Sequence, residues 1–327
     1  MNKIGFPGFG IENFELKNTV SLFGTEILIS GILLAVAIIF GFIIFYRKAV
    51  KKELIDADHI YNVTLITLPV SIIFARAVYI LFNLDAYKGK AFLNVIAGNL
   101  SFYGALVFGL IAVLIYCKAK KVKALSMLDS IAPALFLGQM IGCFGRFFGE
   151  SGYGWTANVE KLPWRMELEN AYIDGIAGGN LVHPSFIYDF LASLIGLIAV
   201  LVILRKKKFD GSGFFFYLGF YGIFRIFIEL IAADSRNSIY KIILCVVAVI
   251  AAVIGALTSK KKAKAEAEET EEYKSAFSAA VLAAVKDEKD ALDESVFEAE
   301  NAEEDNKEAE EESGEEEQNE PETEEEK

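Results

Sequence analysis

The sequence predicts an all-α integral membrane protein: seven transmembrane helices, N-terminus outside, C-terminus cytoplasmic, and a disordered acidic tail. Three observations predict it. The chain of 327 residues is 54% hydrophobic yet carries a formal net charge of −12, a combination unsuited to one globular domain. The conflict resolves if the chain divides near residue 259, with apolar segments before it and a Glu-rich stretch from Glu266 to Lys327 after it. Finally, lysine and arginine cluster in alternate loops between the apolar segments. Residues 1–258 are thus a transmembrane domain, and 259–327 a cytoplasmic tail.

A bilayer-spanning helix needs roughly 20 apolar residues. Segments of that kind fall near 26–46, 60–83, 101–117, 127–148, 184–204, 213–232 and 239–258. The first is too long for the apolar core of a cleavable signal peptide. Basic loops follow spans one (Arg47, Lys48, Lys51, Lys52), three (Lys118, Lys120, Lys121, Lys123) and five (Arg205–Lys208). Lys260, Lys261, Lys262 and Lys264 follow span seven. The positive-inside rule puts all four on the cytoplasmic side. The long loop 150–183 then faces outward; it is rich in glycine and aromatic residues, as functional loops often are. The tail composition predicts disorder, although Phe277, Val281 and Val285 within Tyr273–Leu292 have the spacing of an amphipathic helix.

Ionisable residues inside such segments are costly and mark functional positions by default. Arg76 lies in span two, Arg146 near the outer end of span four, and Arg225 and Glu229 in span six. Arg225 and Glu229 are four apart and share a helix face, which suits an internal ion pair. One glutamate cannot neutralise three arginines, and guanidinium binds phosphate through a bidentate fork. An anionic lipid headgroup is the natural partner. His183 opens span five before Pro184, as an interfacial cap or as a site residue. Tyr103 begins span three, as a belt tyrosine or as a site residue. Gly138, Gly142, Gly145 and Gly149 line one helix face, suited to close helix packing or to a smooth track for a lipid chain.

Cys117, Cys143 and Cys245 have no disulfide or zinc spacing, and two histidines, His59 and His183, do not suggest a metal centre. No metal, cofactor or nucleic-acid partner is expected.

Several motifs, in order, resemble bacterial prolipoprotein diacylglyceryl transferases over residues 4–258. They are Phe6-Pro7-Gly8, Leu22-Phe23-Gly24, Leu162-Pro163-Trp164-Arg165-Met166, His183-Pro184-Ser185-Phe186-Ile187-Tyr188-Asp189, Tyr221-Gly222-Ile223-Phe224-Arg225 with Glu229, and Asp234-Ser235. The family signature runs roughly Gly-Arg-x-Gly-Asn-Phe-x-Asn-x-Glu-x-Tyr-Gly. Here Gly142, Gly145, Phe147, Tyr153 and Gly154 keep its frame. Cys143 stands for its arginine, Arg146 and Gly149 for its asparagines, and Ser151 for its glutamate. Arg146 reappears one turn after the lost arginine, and Glu150 flanks the lost carboxylate. Ser30-Gly31 stands where the family has Tyr-Gly.

The resemblance implies a multi-pass protein of the bacterial plasma membrane. It implies transfer of the diacylglyceryl group of phosphatidylglycerol to the thiol of a lipobox cysteine in a secreted prolipoprotein, with glycerol phosphate leaving. It makes Arg225 a phosphate ligand oriented by Glu229, and puts Tyr103 where the family usually has histidine. A phenol is a poorer base than imidazole at neutral pH. Substrate contacts are expected from Arg76, Gly142, Arg146, Glu150, Tyr153, Gly154, Arg165, His183 and Tyr188. Two other readings stay open: a paralogue that binds phosphatidylglycerol or prolipoprotein without transfer, and an unrelated lipid transporter, for which no inverted repeats are visible.

Overall fold

The computed structural model describes residues 3–22, 24–87, 100–149, 159–169, 172–173, 176–177, 180–232 and 238–316. Its helices are α1 (Ile29–Lys52), α2 (Ala57–Phe82), the single turn α3 (Leu84–Tyr87), α4 (Phe102–Lys120), α5 (Ala124–Phe148), α6 (Ser185–Arg205), α7 (Ser212–Ala232) and α8 (Ser238–Glu316). Among the described residues, six are long and apolar enough to cross a membrane: α1, α2, α4, α5, α6 and, within α8, Lys241–Leu282. The described apolar stretch of α7, Ser212–Ile228, is shorter. Outward-facing residues such as Leu65, Ile73 and Ile115 are 72%, 63% and 64% exposed. Such faces suit hydrocarbon as the solvent rather than water.

α5 is the hub of the bundle. It packs on α1, α6 and α7, while α2 packs on α4 and α6 on α7. Half of its apolar window is buried, against 11–28% for the other five candidate spans. The main core gathers Phe45 and Ala49, Ile60 and Val63, Tyr116, Met127 and Phe136, Val200, and Tyr217 from α1, α2, α4, α5, α6 and α7.

A buried carboxylate organises the end of the bundle where α5 and α7 begin. Asp129 is 0% exposed. It accepts from the backbone N–H groups of Gly211 (2.8 Å), Gly213 (2.8 Å) and Phe214 (3.1 Å). These are donors at the α7 N-terminus that have no partner within the helix. Lys207 balances the charge, reaching Asp129 at 3.0 Å, Glu53 at 2.6 Å and Asp210 at 2.8 Å. Burial alone would lower the pKa of Lys207, but its bonds to Asp210, Glu53 and Asp129 outweigh that and raise it. For Asp210 burial works upward, and the Lys207 contacts outweigh it and lower the value.

At the opposite end, strands β1 (Lys3–Phe6), β2 (Ile11–Glu15), β5 (Met166–Leu168) and β8 (Asn180–Val182) form an antiparallel sheet in the order β2-β1-β5-β8. β3 (Thr19–Leu22) and β4 (Thr25–Leu28) make a hairpin whose turn holds Gly24 at a left-handed φ of 81°. β4 then feeds directly into α1. A smaller hairpin joins β6 (Tyr172–Ile173) and β7 (Ile176–Ala177). The purely α expectation therefore needs this addition. In β5, Met166 and Leu168 are fully buried and flank Glu167, an alternation only three residues long. Ile4, Met166, Leu168 and Val182 from the sheet pack with Cys143 and Phe147 of α5 and Phe186 of α6. That second core fixes the end of α5 against the start of α6.

The tail forms its own unit, Lys264–Lys327. Expected to be disordered, it is helical as far as Glu316. Its alanine, glutamate and lysine content favours helix locally, and pairs such as Lys264–Glu268 (3.5 Å) and Glu271–Lys274 (3.2 Å) add to this. Tyr273, Phe277, Val281 and Val285 are exposed along it.

Asp129→Ala leaves buried N–H donors without an acceptor and removes a partner of Lys207. It is expected to lower the unfolding midpoint in detergent by roughly 5–10 °C, from a loss of about 3 kcal/mol. The raised Lys207 value makes that charge stabilising up to the ordinary lysine range, near 10.4, and its contribution is lost as pH rises through the folded value. The lowered Asp210 value makes its charge stabilising above the ordinary carboxylate range, near 3.9, and lost as pH falls through the folded value. A midpoint-versus-pH scan of wild type and Lys207→Met should therefore differ most between about pH 5 and 9.

Candidate functional site

A cavity of about 920 Å³ lies within the bundle, large for a small-molecule site. One part is apolar, lined by residues such as Leu34, Ile38, Phe42, Leu68, Ile72 and Leu106. The other part is polar and ionic, with Tyr103, Gln139, Arg146, Asp189, Tyr221 and Arg225 in its wall.

The ionic part centres on Asp189. Arg146 Nη2 donates to its Oδ2, and Arg225 Nη1 donates to its Oδ1 at 3.4 Å. One carboxylate thus holds two guanidinium groups from two other helices. The side chains of Asp189 and Arg225 are 11% and 14% exposed, and that of Arg146 is 45% exposed. Ions so far from water persist only when paired. Tyr103 completes this wall: its hydroxyl lies 4.0 Å from Cys245 Sγ, on the side of the cavity that also holds Arg225.

Local sequence explains the placement. Cys143 and Phe147 of α5 turn into the sheet core, with the Phe147 ring 4.3 Å from Phe186. Arg146 therefore points elsewhere, into the cavity. Asp189 follows Phe186 by nearly one turn of α6. Tyr103 is set by the start of α4, where Ser101 Oγ accepts from Gly104 N–H at 3.4 Å. A Cβ on Gly104 would sit 2.8 Å from the Phe74 carbonyl oxygen, so glycine is what lets α4 lie this close to α2.

The glycine face divides. A Cβ on Gly138 or Gly142 would meet nothing within 4 Å, and both line the cavity. Gly145 and Gly149 instead approach Ser30 at the start of α1. The face serves packing at one end and open space at the other. Thr67 and Gln139 also line the cavity, and Thr67 Oγ1 and Gln139 Oε1 are buried without a hydrogen-bond partner among the described residues. Gln139 Nε2 donates to the Tyr217 hydroxyl at 2.8 Å.

The structure thus brings Tyr103, Gly142, Arg146 and Arg225 to one cavity. Other candidate residues lie outside its lining. Tyr188 accepts from Trp164 Nε1 at 2.8 Å and shares a 2.9 Å hydrogen bond with His183 Nδ1. This triad ties the segment 159–169 to the start of α6. Arg165 Nη1 donates to the Leu162 carbonyl at 3.0 Å, closing its own turn. Arg76 is 7% exposed, hydrogen-bonds the Tyr87 hydroxyl at 3.2 Å, and lies 5.5 and 5.1 Å from the ring centres of Tyr79 and Tyr87. Glu229 lies one turn beyond Arg225 on α7, and its side chain is outside the description. Glu150, Tyr153 and Gly154 lie outside the described residues. Asp189 is the site residue that sequence reasoning did not single out. Its signal was a carboxylate in the first turns of an apolar helix.

A bundle of membrane-length helices around a cavity, with two aspartate-bound arginines in its wall, is an integral membrane protein with an ionic site inside it. The family model for prolipoprotein diacylglyceryl transferase matches residues 17–284. Proteins named phosphatidylglycerol–prolipoprotein diacylglyceryl transferase are similar to the chain. The one from Finegoldia magna is 36% identical over 218 residues, covering 66% of this chain and 83% of the relative. Those from Clostridium novyi and Clostridioides difficile are each 34% identical over 218 residues, covering 65% and 66% of this chain and 83% and 82% of the relatives. The chain belongs to the prolipoprotein diacylglyceryl transferase family.

Tyr188→Phe removes the hydroxyl that joins Trp164 to His183. It is expected to cost about 1 kcal/mol per lost hydrogen bond, lowering the unfolding midpoint by a few degrees. Collisional quenching of tryptophan fluorescence in a Trp155→Phe background should rise as Trp164 loosens.

Proposed function

We propose that this protein is a phosphatidylglycerol–prolipoprotein diacylglyceryl transferase of the bacterial plasma membrane. It moves the diacylglyceryl group onto the lipobox cysteine thiol of secreted prolipoproteins, the first step of lipoprotein maturation. The observation that carries the reading is the Arg146–Asp189–Arg225 cluster in the wall of a largely apolar cavity. Phosphatidylglycerol has the matching shape: two apolar chains and one phosphodiester anion. Family membership supports the same reaction, and the relatives' shared name favours transfer over binding without transfer.

In this reading α7 is a seventh span. The N-terminus, the sheet and the 150–183 loop are outside, and the basic loops are inside. Residues 1–258 carry the activity, and 259–327 form a cytoplasmic appendage. The phosphate binds Arg225 and Arg146, with Glu229 orienting Arg225. The acyl chains lie along the apolar wall and the open face of Gly138 and Gly142. The Thr67 hydroxyl is available to a lipid ester carbonyl. Arg76, Arg165, His183 and Tyr188 support the walls and the outer approach, and Glu150, Tyr153 and Gly154 belong to the signature motif.

The reaction is a displacement at the glyceryl carbon that bears the phosphate. The thiol loses its proton to water, and the thiolate is the nucleophile. Its sulfur bonds to carbon as the carbon–oxygen bond breaks, and glycerol phosphate departs with the electron pair. The guanidinium groups stabilise the charge that grows on the departing oxygen. Tyr103 steers sulfur by donating a hydrogen bond, in keeping with the thiol of Cys245 already beside its hydroxyl. Fixed approach of thiolate to carbon supplies much of the remaining acceleration.

The test is transfer by purified protein from phosphatidylglycerol to a lipobox peptide, read by peptide mass and glycerol phosphate release. Wild type should lipidate the peptide, and Arg225→Ala and Arg146→Ala should each reduce kcat by roughly 10²–10³-fold. Gly142→Leu should fold, since its side chain enters open space, yet lose transfer by blocking the cavity. Intact lipid binding with no lipidated peptide from wild type would leave only the non-transferring paralogue.

A further inference from the structure

Asp189 poses a problem for an anion site. It already occupies both guanidinium groups that an incoming phosphate would need. The groups around it come from every neighbouring helix. Arg146 and Cys143 approach from α5, Arg225 and Tyr221 from α7; Tyr103 of α4 adjoins Arg225, and Lys241 of α8 lines the same cavity. Among the described residues, two arginines bond Asp189, one at each of its oxygens.

We propose that Asp189 is a positioning residue that acts as a built-in competitor anion, favouring the charge of the departing glycerol phosphate over that of the substrate lipid. The proposal rests on the transferase reading above. The substrate phosphodiester carries one negative charge, the same as the carboxylate it must displace. Exchanging one monoanion for another gains little, so ground-state binding stays weak. As the carbon–oxygen bond breaks, the departing phosphate moves towards a dianion and attracts the arginines more strongly than Asp189 does. Interactions that strengthen only towards the transition state raise kcat. The carboxylate also holds two cations from α5 and α7 in fixed positions before any substrate arrives, so their reorganisation is small during reaction.

Removing the competing charge has an unusual kinetic consequence. In Asp189→Asn the substrate phosphate meets uncontested arginines. The ground state is stabilised, while the transition state gains little, because the arginines lose the fixed positions that the carboxylate gave them. KM for phosphatidylglycerol and kcat should therefore fall together, each by about tenfold, leaving kcat/KM within about threefold of wild type. Asp189→Glu, which keeps the charge, should restore kcat and KM towards wild type. Damage to packing alone would lower kcat/KM and would not tighten KM.

A second arm uses wild type and needs no variant. Inhibition by glycerol phosphate, whose second ionisation lies near pH 6, should tighten by about fourfold from pH 5.5 to 7.5. Glycerophosphoglycerol, the deacylated headgroup and a monoanion throughout, should inhibit weakly and with little pH dependence. It also controls for any pH dependence that comes from the protein itself. A raised or unchanged KM in Asp189→Asn overturns the proposal. So does equal inhibition of wild type by the two phosphates, which decides the matter if the variant does not fold. Calorimetric binding of the same two compounds separates the two readings. No transfer by wild type sinks the transferase assignment, while a preference for glycerol phosphate that disappears in Asp189→Asn would still establish the competitor role.

Discussion

Two arginines and one aspartate in the wall of a helical bundle constrain everything around them. An unpaired guanidinium or carboxylate removed from water costs several kcal/mol, so Asp189 and Arg225, both largely buried, need partners, and the more exposed Arg146 adds a second bond to Asp189. Their meeting requires α5, α6 and α7 to come together at a particular height and rotation. The sheet core sets that arrangement from outside the ionic cluster. Cys143 and Phe147 on one side of α5, and Phe186 on α6, are buried against Ile4, Met166, Leu168 and Val182. The small sheet is thus the clamp that fixes where two site helices end and begin.

The two ends of the bundle solve the same electrostatic problem for different purposes. At one end Asp129 is surrounded by backbone donors and Lys207, is wholly buried, and closes a helix N-terminus. Its bonding capacity is spent on the fold. At the other end Asp189 bonds side chains that also face a cavity, one of them nearly half exposed. In the proposed reading its partners are exchanged for a ligand. The distinction between a structural and a functional buried carboxylate here is whether the groups around it have open space on their other side.

The spans were legible because hydropathy and loop charge are local properties. Arg146 and Arg225 were legible because charge in an apolar segment stands out against its neighbours. Asp189 had the same local signal but was read only as part of a motif. Its role depends on Arg146, 43 positions earlier, and on Arg225, 36 positions later. Nothing in linear spacing announces that meeting. The same holds for Tyr103 beside Arg225 and for Arg76 between Tyr79 and Tyr87. The strands were missed because pieces of two to five residues are too short for an alternation to be seen. The tail was misjudged because low hydrophobicity predicts no core, whereas helix along Ala-Glu-Lys sequence needs none.

The rearranged signature motif also follows from packing. Cys143 stands where the family pattern has arginine, and it is fully buried, its thiol donating to the Met140 carbonyl at 3.1 Å. It lies beside Phe147 in the sheet core. Cys143 also touches the cavity wall, but its small side chain is committed to that core and to the Met140 carbonyl. Arg146, just under one turn later, already points into open space and reaches Asp189 directly. Guanidinium groups recognise phosphate by where their donors end, and a long flexible stem can begin from neighbouring positions on a helix. In the proposed reading the chemistry needs a cation opposite Asp189 and Arg225, and attaching it three residues later on α5 supplies that cation while leaving residue 143 to the core.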